Sequence, residues 1–201
     1  MPYRRTPKVQ ERLDAQRETI VAAATRQLAE HGYGGCSVAA VAERAGVAVG
    51  SVYRHFPTKA DLVVHVFRQV VTREVEAVRS ASAAAGDPAE RVLAAVDTFA
   101  QRALKAPKQA YALLAEPVDA LIDAERLEFR RAYTEVIAEH VAAGVRDGSL
   151  PPQDGRLTAA ALVGAAAEVL IGPLTSGNAS DVAELRTFIL RALGGSDARH
   201  A

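Results

Sequence analysis

Between Ser37 and Lys59 the chain gathers side chains able to grip a polyanion and touch base edges: Ser37, Arg44, Val49, Ser51, Tyr53, Arg54, His55 and Lys59. The Arg54 guanidinium can make a bidentate contact to guanine or hold a phosphate, and Val49 can touch a thymine methyl group. Ser37, Arg44, Tyr53 and Lys59 carry donors for phosphate oxygens, which position a protein on a duplex without reading its sequence. Tyr53 can equally pack. Arg4, Arg5 and Lys8, with Pro2 and Pro7, make an extended basic arm that suits a phosphate backbone or a minor groove, or is a solvated tail. Lys59 is the most telling. A cation in the first turn of a helix opposes the macrodipole, and a phosphate docked at the same helix start offsets that penalty. Lys59 is therefore expected on a phosphate.

The elements that must hold these groups are short. Val38, Val41, Ala42 and Ala45 recur at helical spacing behind Ser37, a good N-cap. Gly46 interrupts and can take a positive φ. Val47, Val52 and Phe56 then extend the apolar stripe. Helix, Gly-containing turn, helix is the layout of a helix-turn-helix. A longer helix precedes it, about 10–31, ended by Gly32 as a C-cap glycine. Pro57 stops the second short helix, and Thr58 with Asp61 approximates a capping box opening a long helix over about 58–84.

The rest reads as a helical body. Helices are expected at about 88–105, from Pro107, at 122–147 with Leu127, Phe129, Tyr133, Ile137 and Val141, at 155–174, and at 180–194 with Val182, Leu185, Ile189, Leu190 and Leu193. No strand pattern appears. The fold class is all-α with about nine helices: a three-helix amino-terminal head over residues 1–60 and a body over 61–201. Residues 155–174 are apolar nearly all round with small side chains, which permits close helix approach. Together with 180–194 they are expected to form a four-helix dimer interface with a partner copy.

Composition bounds the reading. The formal net charge is zero, but residues 1–60 hold nine Lys/Arg against five Asp/Glu, and residues 61–201 hold fifteen against nineteen. A basic head on an acidic body suits nucleic-acid binding. Cys36 is the single cysteine, so no internal disulfide forms, in keeping with a reducing cytoplasm. No secretory leader pattern opens the chain, and the run 157–174 reads as too short and too weakly apolar for a comfortable membrane span.

The order long helix, Gly32-Tyr33, Ser37-Val38, Val41-Ala42, Ala45-Gly46-Val47, Gly50-Ser51-Val52-Tyr53, His55-Phe56-Pro57, Lys59 and Leu62 resembles the tetracycline-repressor (TetR) family of bacterial one-component regulators. The close match covers about a quarter of the chain; the body matches only in helix number and order. The resemblance implies a homodimer on a palindromic double-stranded DNA operator, released when a small molecule enters the body. Three positions depart from the pattern: Cys36 stands where threonine is usual, Ala48 where serine often caps the recognition helix, and Val49 where a polar residue is frequent.

Ligand candidates are polar and aromatic residues on otherwise apolar faces: Asp97, Phe99, Arg102, Tyr111, Glu116, Phe129, Arg130, Tyr133 and Glu168. Any of these can instead be core or surface. An all-α enzyme or metal protein is the weaker alternative. No Glu stands three residues before His31, His55, His65, His140 or His200, as a bundle carboxylate–histidine metal site requires, and zinc spacing, a nucleophilic triad and a Gly-rich phosphate loop are absent. No metal or cofactor is expected. A purely architectural DNA binder needs no such large apolar body.

Overall fold

In the computed structural model, residues 7–177 and 180–194 are described. Among them are nine helices and no strand: α1 Pro7–Gly35, α2 Val38–Ala45, α3 Val49–His55, α4 Lys59–Ala84, α5 Pro88–Lys105, α6 Pro107–Leu114, α7 Ala120–Asp147, α8 Gly155–Ser176 and α9 Ser180–Ala192. The expected arm at Arg4 and Arg5 lies outside the described residues. Pro7 and Lys8 are already helical, so α1 starts earlier than its periodicity implied. At its far end Gly32 (φ 68°, ψ −172°) breaks the helix, and a further turn carries the chain to Gly35.

Local chemistry sets the boundaries. Ser37 Oγ accepts from the Ala40 amide at 3.1 Å and caps α2. Gly46 ends it at φ 65°, with Gly46 N donating to Glu43 O and Val47 N to Ala42 O, a Schellman closure. Thr58 and Asp61 form a full capping box at α4, and Asp87 and Glu90 form another at α5. α3 begins at Ala48 with no side-chain cap, as expected from the missing serine.

Two apolar clusters result. Ile20, Ala24, Leu28, Tyr33, Val41, Val52, Phe56, Leu62, Val66 and Phe67 form the head core, which continues into Ala112, Leu113 and Ile122 of α6 and α7. Val78, Val92, Val96, Phe129, Tyr133, Ile137, Val141, Leu162, Leu170 and Ile189 belong to the body core. α4 serves both: its first three turns bury Leu62, Val63, Val66, Phe67 and Val70, and Val78 enters the second cluster. On α7, Phe129, Tyr133, Ile137 and Val141 share a face at i+4 spacing. Leu127 sits off that face and is 55% exposed, contrary to its expected place in the stripe.

α8 differs from the other helices. It is apolar almost throughout and, by length and composition, long enough to cross a membrane. Its inner face, Ala159, Leu162, Ala166, Leu170 and Leu174, packs in the body core, while Leu157, Ala160, Ala161, Gly164, Glu168 and Gly172 face outward uncovered.

Candidate functional site

The head offers one projecting face. Val52 (1% exposed) and Phe56 anchor α3 in the core. On the opposite side Val49 (42%) and Tyr53 (49%) stand out with Gly50 and Arg54. Ser51 leans inward and is half-buried. His55 also turns inward: its Nε2 lies 3.0 Å from Gln16 Oε1 of α1, and burial first, then Arg17 and Arg54, pulls its pKa below the usual imidazole value. The outward face is thus Val49, Gly50, Tyr53 and Arg54. A Cβ built on Gly50 meets nothing within 4 Å, so nothing in the protomer requires glycine there.

The flanking groups are tethered. Arg44 is held by both oxygens of Glu30, at 2.7 and 2.5 Å, which raises the guanidinium pKa and lowers that of Glu30. Lys59 has the local reason that sequence failed to supply: Nζ donates to the Tyr33 carbonyl at 2.8 Å and sits 3.8 Å from the centre of the Tyr33 ring. An ammonium has three donors, so two remain for other acceptors. Ser37 Oγ accepts in its cap and keeps its own proton to donate.

Tyr33 is also where head and body meet. Glu116, at the end of α6, accepts from the Tyr33 amide at 2.7 Å and the Gly34 amide at 2.8 Å. The Tyr33 hydroxyl donates to Asp119 in a very short bond. Burial and that acid push the phenol pKa up. Arg126 lies close by, one guanidinium nitrogen reaching the carbonyls of Ala112 and Glu116 and closing the carboxy end of α6. Asp119 and Arg126 were not foreseen, because their partners are remote in sequence or are bare carbonyls.

Glu116 was expected at a ligand site; it clamps the segment after the Gly32 break in α1 and lines neither of the two cavities described next. Glu168 points outward from α8, and Tyr111 packs half-buried against the body core, in the wall of neither of these two cavities. Asp97 pairs with Arg186 of α9. The other candidates do converge. An outer cavity of about 210 Å³ lies among α4, α5, α6 and α7, lined by Val70, Glu74, Phe99, Arg102, Lys105, Gln109, Leu113 and Phe129 among others. Arg102 makes a two-point pair with Glu74, with Nη2 to Oε1 at 2.8 Å. An inner chamber of about 20 Å³ is walled by Val96, Tyr133, Ile137, Val163 and Ala166, with Arg130 at its edge. Phe99, Leu114 and Phe129 line both spaces. Phe99, Phe129 and Tyr133 pack mutually, with centroids 4.7 to 6.4 Å apart. Glu74, Lys105 and Gln109 were missed because each reads as a surface residue on its own helix. Among the described residues no group of three His, Cys, Asp or Glu is placed to hold a metal ion.

Comparison with known proteins accords with both halves. The profile of the bacterial regulatory proteins, tetR family, matches residues 20–66, and that of the tetracyclin repressor-like C-terminal domain matches residues 85–170. The chain is 28% identical over 153 residues to the HTH-type transcriptional activator FasR of Mycolicibacterium smegmatis, covering 75% of this chain and 68% of that protein. The structure of the fatty acid degradation regulator FadR from Bacillus halodurans superposes with a TM-score of 0.72 at 26% identity, over 89% of this chain and 98% of that one. FadR from Bacillus subtilis in complex with stearoyl-CoA superposes with a TM-score of 0.75 at 20% identity, over the same shares.

Proposed function

The chain belongs to the tetR family of bacterial regulatory proteins and is a DNA-binding transcriptional regulator, and we propose that it is a cytoplasmic homodimeric repressor, not an enzyme, that leaves a palindromic operator when a small molecule enters the body. The observation that carries this reading is the outward face of α3: Val49, Gly50, Tyr53 and Arg54 stand clear of the core while Val52 fixes the helix beneath them. Such a helix enters the major groove, and two copies read half-sites about one helical turn apart. In this reading Arg54 and Val49 meet bases. Ser37, Tyr53, Lys59 and Arg44 hold phosphates, Arg44 in competition with Glu30. Arg4 and Arg5 remain candidates for the backbone. Ser51 and His55 serve the inner side of α3.

The partner copy docks on α8 and α9. Support comes from the outward face of α8, where Leu157 is 70% exposed beside Ala160, Ala161 and Gly164, and from Phe188 of α9, 50% exposed. An apolar face of this kind, left open in one protomer, is covered at an isologous interface.

The ligand site is the pair of cavities between α4 and α8, and the ligand is an acyl-chain compound. The walls are aliphatic and aromatic, Arg102 and Lys105 stand at the mouth, and two of the similar structures are fatty-acid regulators, one holding stearoyl-CoA. A ligand shifts the balance only by binding the DNA-free arrangement better; a coupling of about 1–3 kcal/mol changes affinity roughly 5- to 150-fold.

Fluorescence anisotropy on DNA from upstream of the gene tests the reading. Lys59→Ala is expected to weaken all duplexes alike, and Arg54→Ala to lose base preference as well. Equal loss of specific and non-specific affinity in both variants removes Arg54 from the base-reading role.

A further inference from the structure

Tyr133 presents an unexplained group. The side chain is 5% exposed, and its hydroxyl has no hydrogen-bond partner among the described residues. A buried hydroxyl without a partner is unfavourable, so such groups are normally paired. The ring lies in the wall of the inner chamber, edge-on to Phe99 at 5.0 Å and to Phe129 at 4.7 Å. Those two phenylalanines also line the outer cavity. The phenol pKa is raised by burial and then by Glu74, with Arg102 opposing, so the hydroxyl keeps its proton and feels the ion pair lining the outer space. The Tyr133 ring packs on the two phenylalanines that line both cavities, which sets it beside their shared wall.

The cavities differ in kind. The outer one carries Glu74, Arg102, Lys105 and Gln109, a polar rim with a net positive formal charge. The inner one has only Arg130 as a charged lining residue and, at about 20 Å³, is too small for a chain as it stands. Phe99, Leu114 and Phe129 separate them. A chain that enters the inner space must displace these side chains.

We infer that Tyr133 is a specificity-determining residue, donating its hydroxyl hydrogen to an acyl carbonyl oxygen at the junction while the chain passes Phe99 and Phe129 and the anionic end stays at Arg102 and Lys105. The inference rests on the proposed ligand site and deepens it. The cavity rejects a plain hydrocarbon relative to its carbonyl-bearing analogue, because only the latter satisfies the buried hydroxyl. A site built to pair a polar group discriminates strongly against a ligand lacking one.

The test is calorimetric titration of the full chain with decanoate, methyl decanoate and decane, each against wild type and Tyr133→Phe, with melting curves of both proteins without ligand. Wild type is expected to bind methyl decanoate more tightly than decane. Tyr133→Phe is expected to weaken the ester about five- to tenfold, the effect of one lost hydrogen bond, and to leave unchanged both decane and the acid, whose only carbonyl belongs to the carboxylate held at Arg102 and Lys105. Without ligand the variant is expected to melt about 2 °C or more higher, since an unpaired hydroxyl has been removed. Equal affinities of wild type and variant for the ester overturn the inference and leave the ligand site standing. A lower melting temperature of the variant shows the hydroxyl paired within the protein and also overturns it. Failure of all three probes to bind wild type overturns the acyl-ligand reading and the inference with it.

Discussion

Glu116 and Gly34 are joined across the head–body boundary by a 2.8 Å hydrogen bond from the Gly34 amide to the carboxylate, whose other oxygen takes the Tyr33 amide at 2.7 Å. The donors lie just past the Gly32 break in α1 and the acceptor just beyond α6, whose Gln109, Ala110, Leu113 and Leu114 line the outer cavity. One helix thus borders the outer cavity along its length and the DNA-binding head at its end. If the proposed ligand displaces α6, this contact carries the displacement to the segment that leads into α2.

Glu116→Ala leaves two amides without their acceptor. A lost charge-assisted hydrogen bond is worth about 1.5–3 kcal/mol, so a fall in melting temperature of about 3–10 °C is expected. Glu116→Gln retains one acceptor oxygen and loses less. Calorimetric melting distinguishes them; equal, negligible changes show that the clamp carries no stability.

Gly32→Ala acts on the same contact from the other side. The residue sits at φ +68°, and an added Cβ falls 3.0 Å from Glu116 Oε2. A backbone at φ 68°, ψ −172° is open essentially to glycine alone and disfavours alanine by about 1–3 kcal/mol, measurable by urea unfolding. An unchanged unfolding midpoint excludes this geometry.

Gly50→Ala is expected to separate stability from function. Its Cβ has open space around it in the protomer, and alanine is the better helix residue by about 0.5–1 kcal/mol. The melting temperature therefore holds or rises, yet operator affinity falls, because the added methyl stands on the face that approaches DNA. Undiminished affinity in anisotropy titrations places the DNA elsewhere.

Gly164→Arg probes the dimer. Nothing lies within 4 Å of a Cβ at this outward position of α8, so the protomer fold tolerates the side chain, while two arginines at a self-complementary interface repel each other. Light scattering is expected to show a monomer with unchanged helical content. A persisting dimer moves the interface off α8.

Stability is expected to decline in mild acid. His55, His65 and His140 are all held below the ordinary imidazole value of 6.5, in each case chiefly by burial, with Arg17, Arg68 and Arg91 among the neighbouring cations. The unfolded chain then binds more protons than the folded one once the pH drops below about 6.5. The stabilisation is complete above that value and is lost as pH falls toward the depressed values. Melting temperature should fall between about pH 7.5 and 5.5, and less steeply in His140→Gln. A flat profile contradicts the burial of these rings.

What the sequence disclosed was local. Ser37, Gly46 and the Thr58–Asp61 box are legible because a cap is decided within a few residues, and Phe129 with Tyr133 because i+4 spacing fixes a common face. The clamp from Glu116 spans more than 80 residues, and no periodicity encodes it. The Lys59 contact is hidden for the same reason: its acceptor, the Tyr33 carbonyl, is a backbone atom of another element. The bond between His55 of α3 and Gln16 of α1 is likewise invisible in the sequence, because the two residues are 39 positions apart. Inner and outer cavities emerge only when five helices, α4 to α8, are assembled.

The division of α4 between two apolar clusters bears on how such regulators are re-engineered. A chimera cut at residue 60 parts the reader from Leu62, Val63, Val66 and Phe67, and from the α6 and α7 side chains Ala112, Leu113 and Ile122 that complete the same core. A transplanted reader must therefore bring its own first half of α4 and find a matching α6 surface in the recipient. The head is not a detachable cartridge, and grafts that respect only the motif boundary are expected to express as unfolded protein.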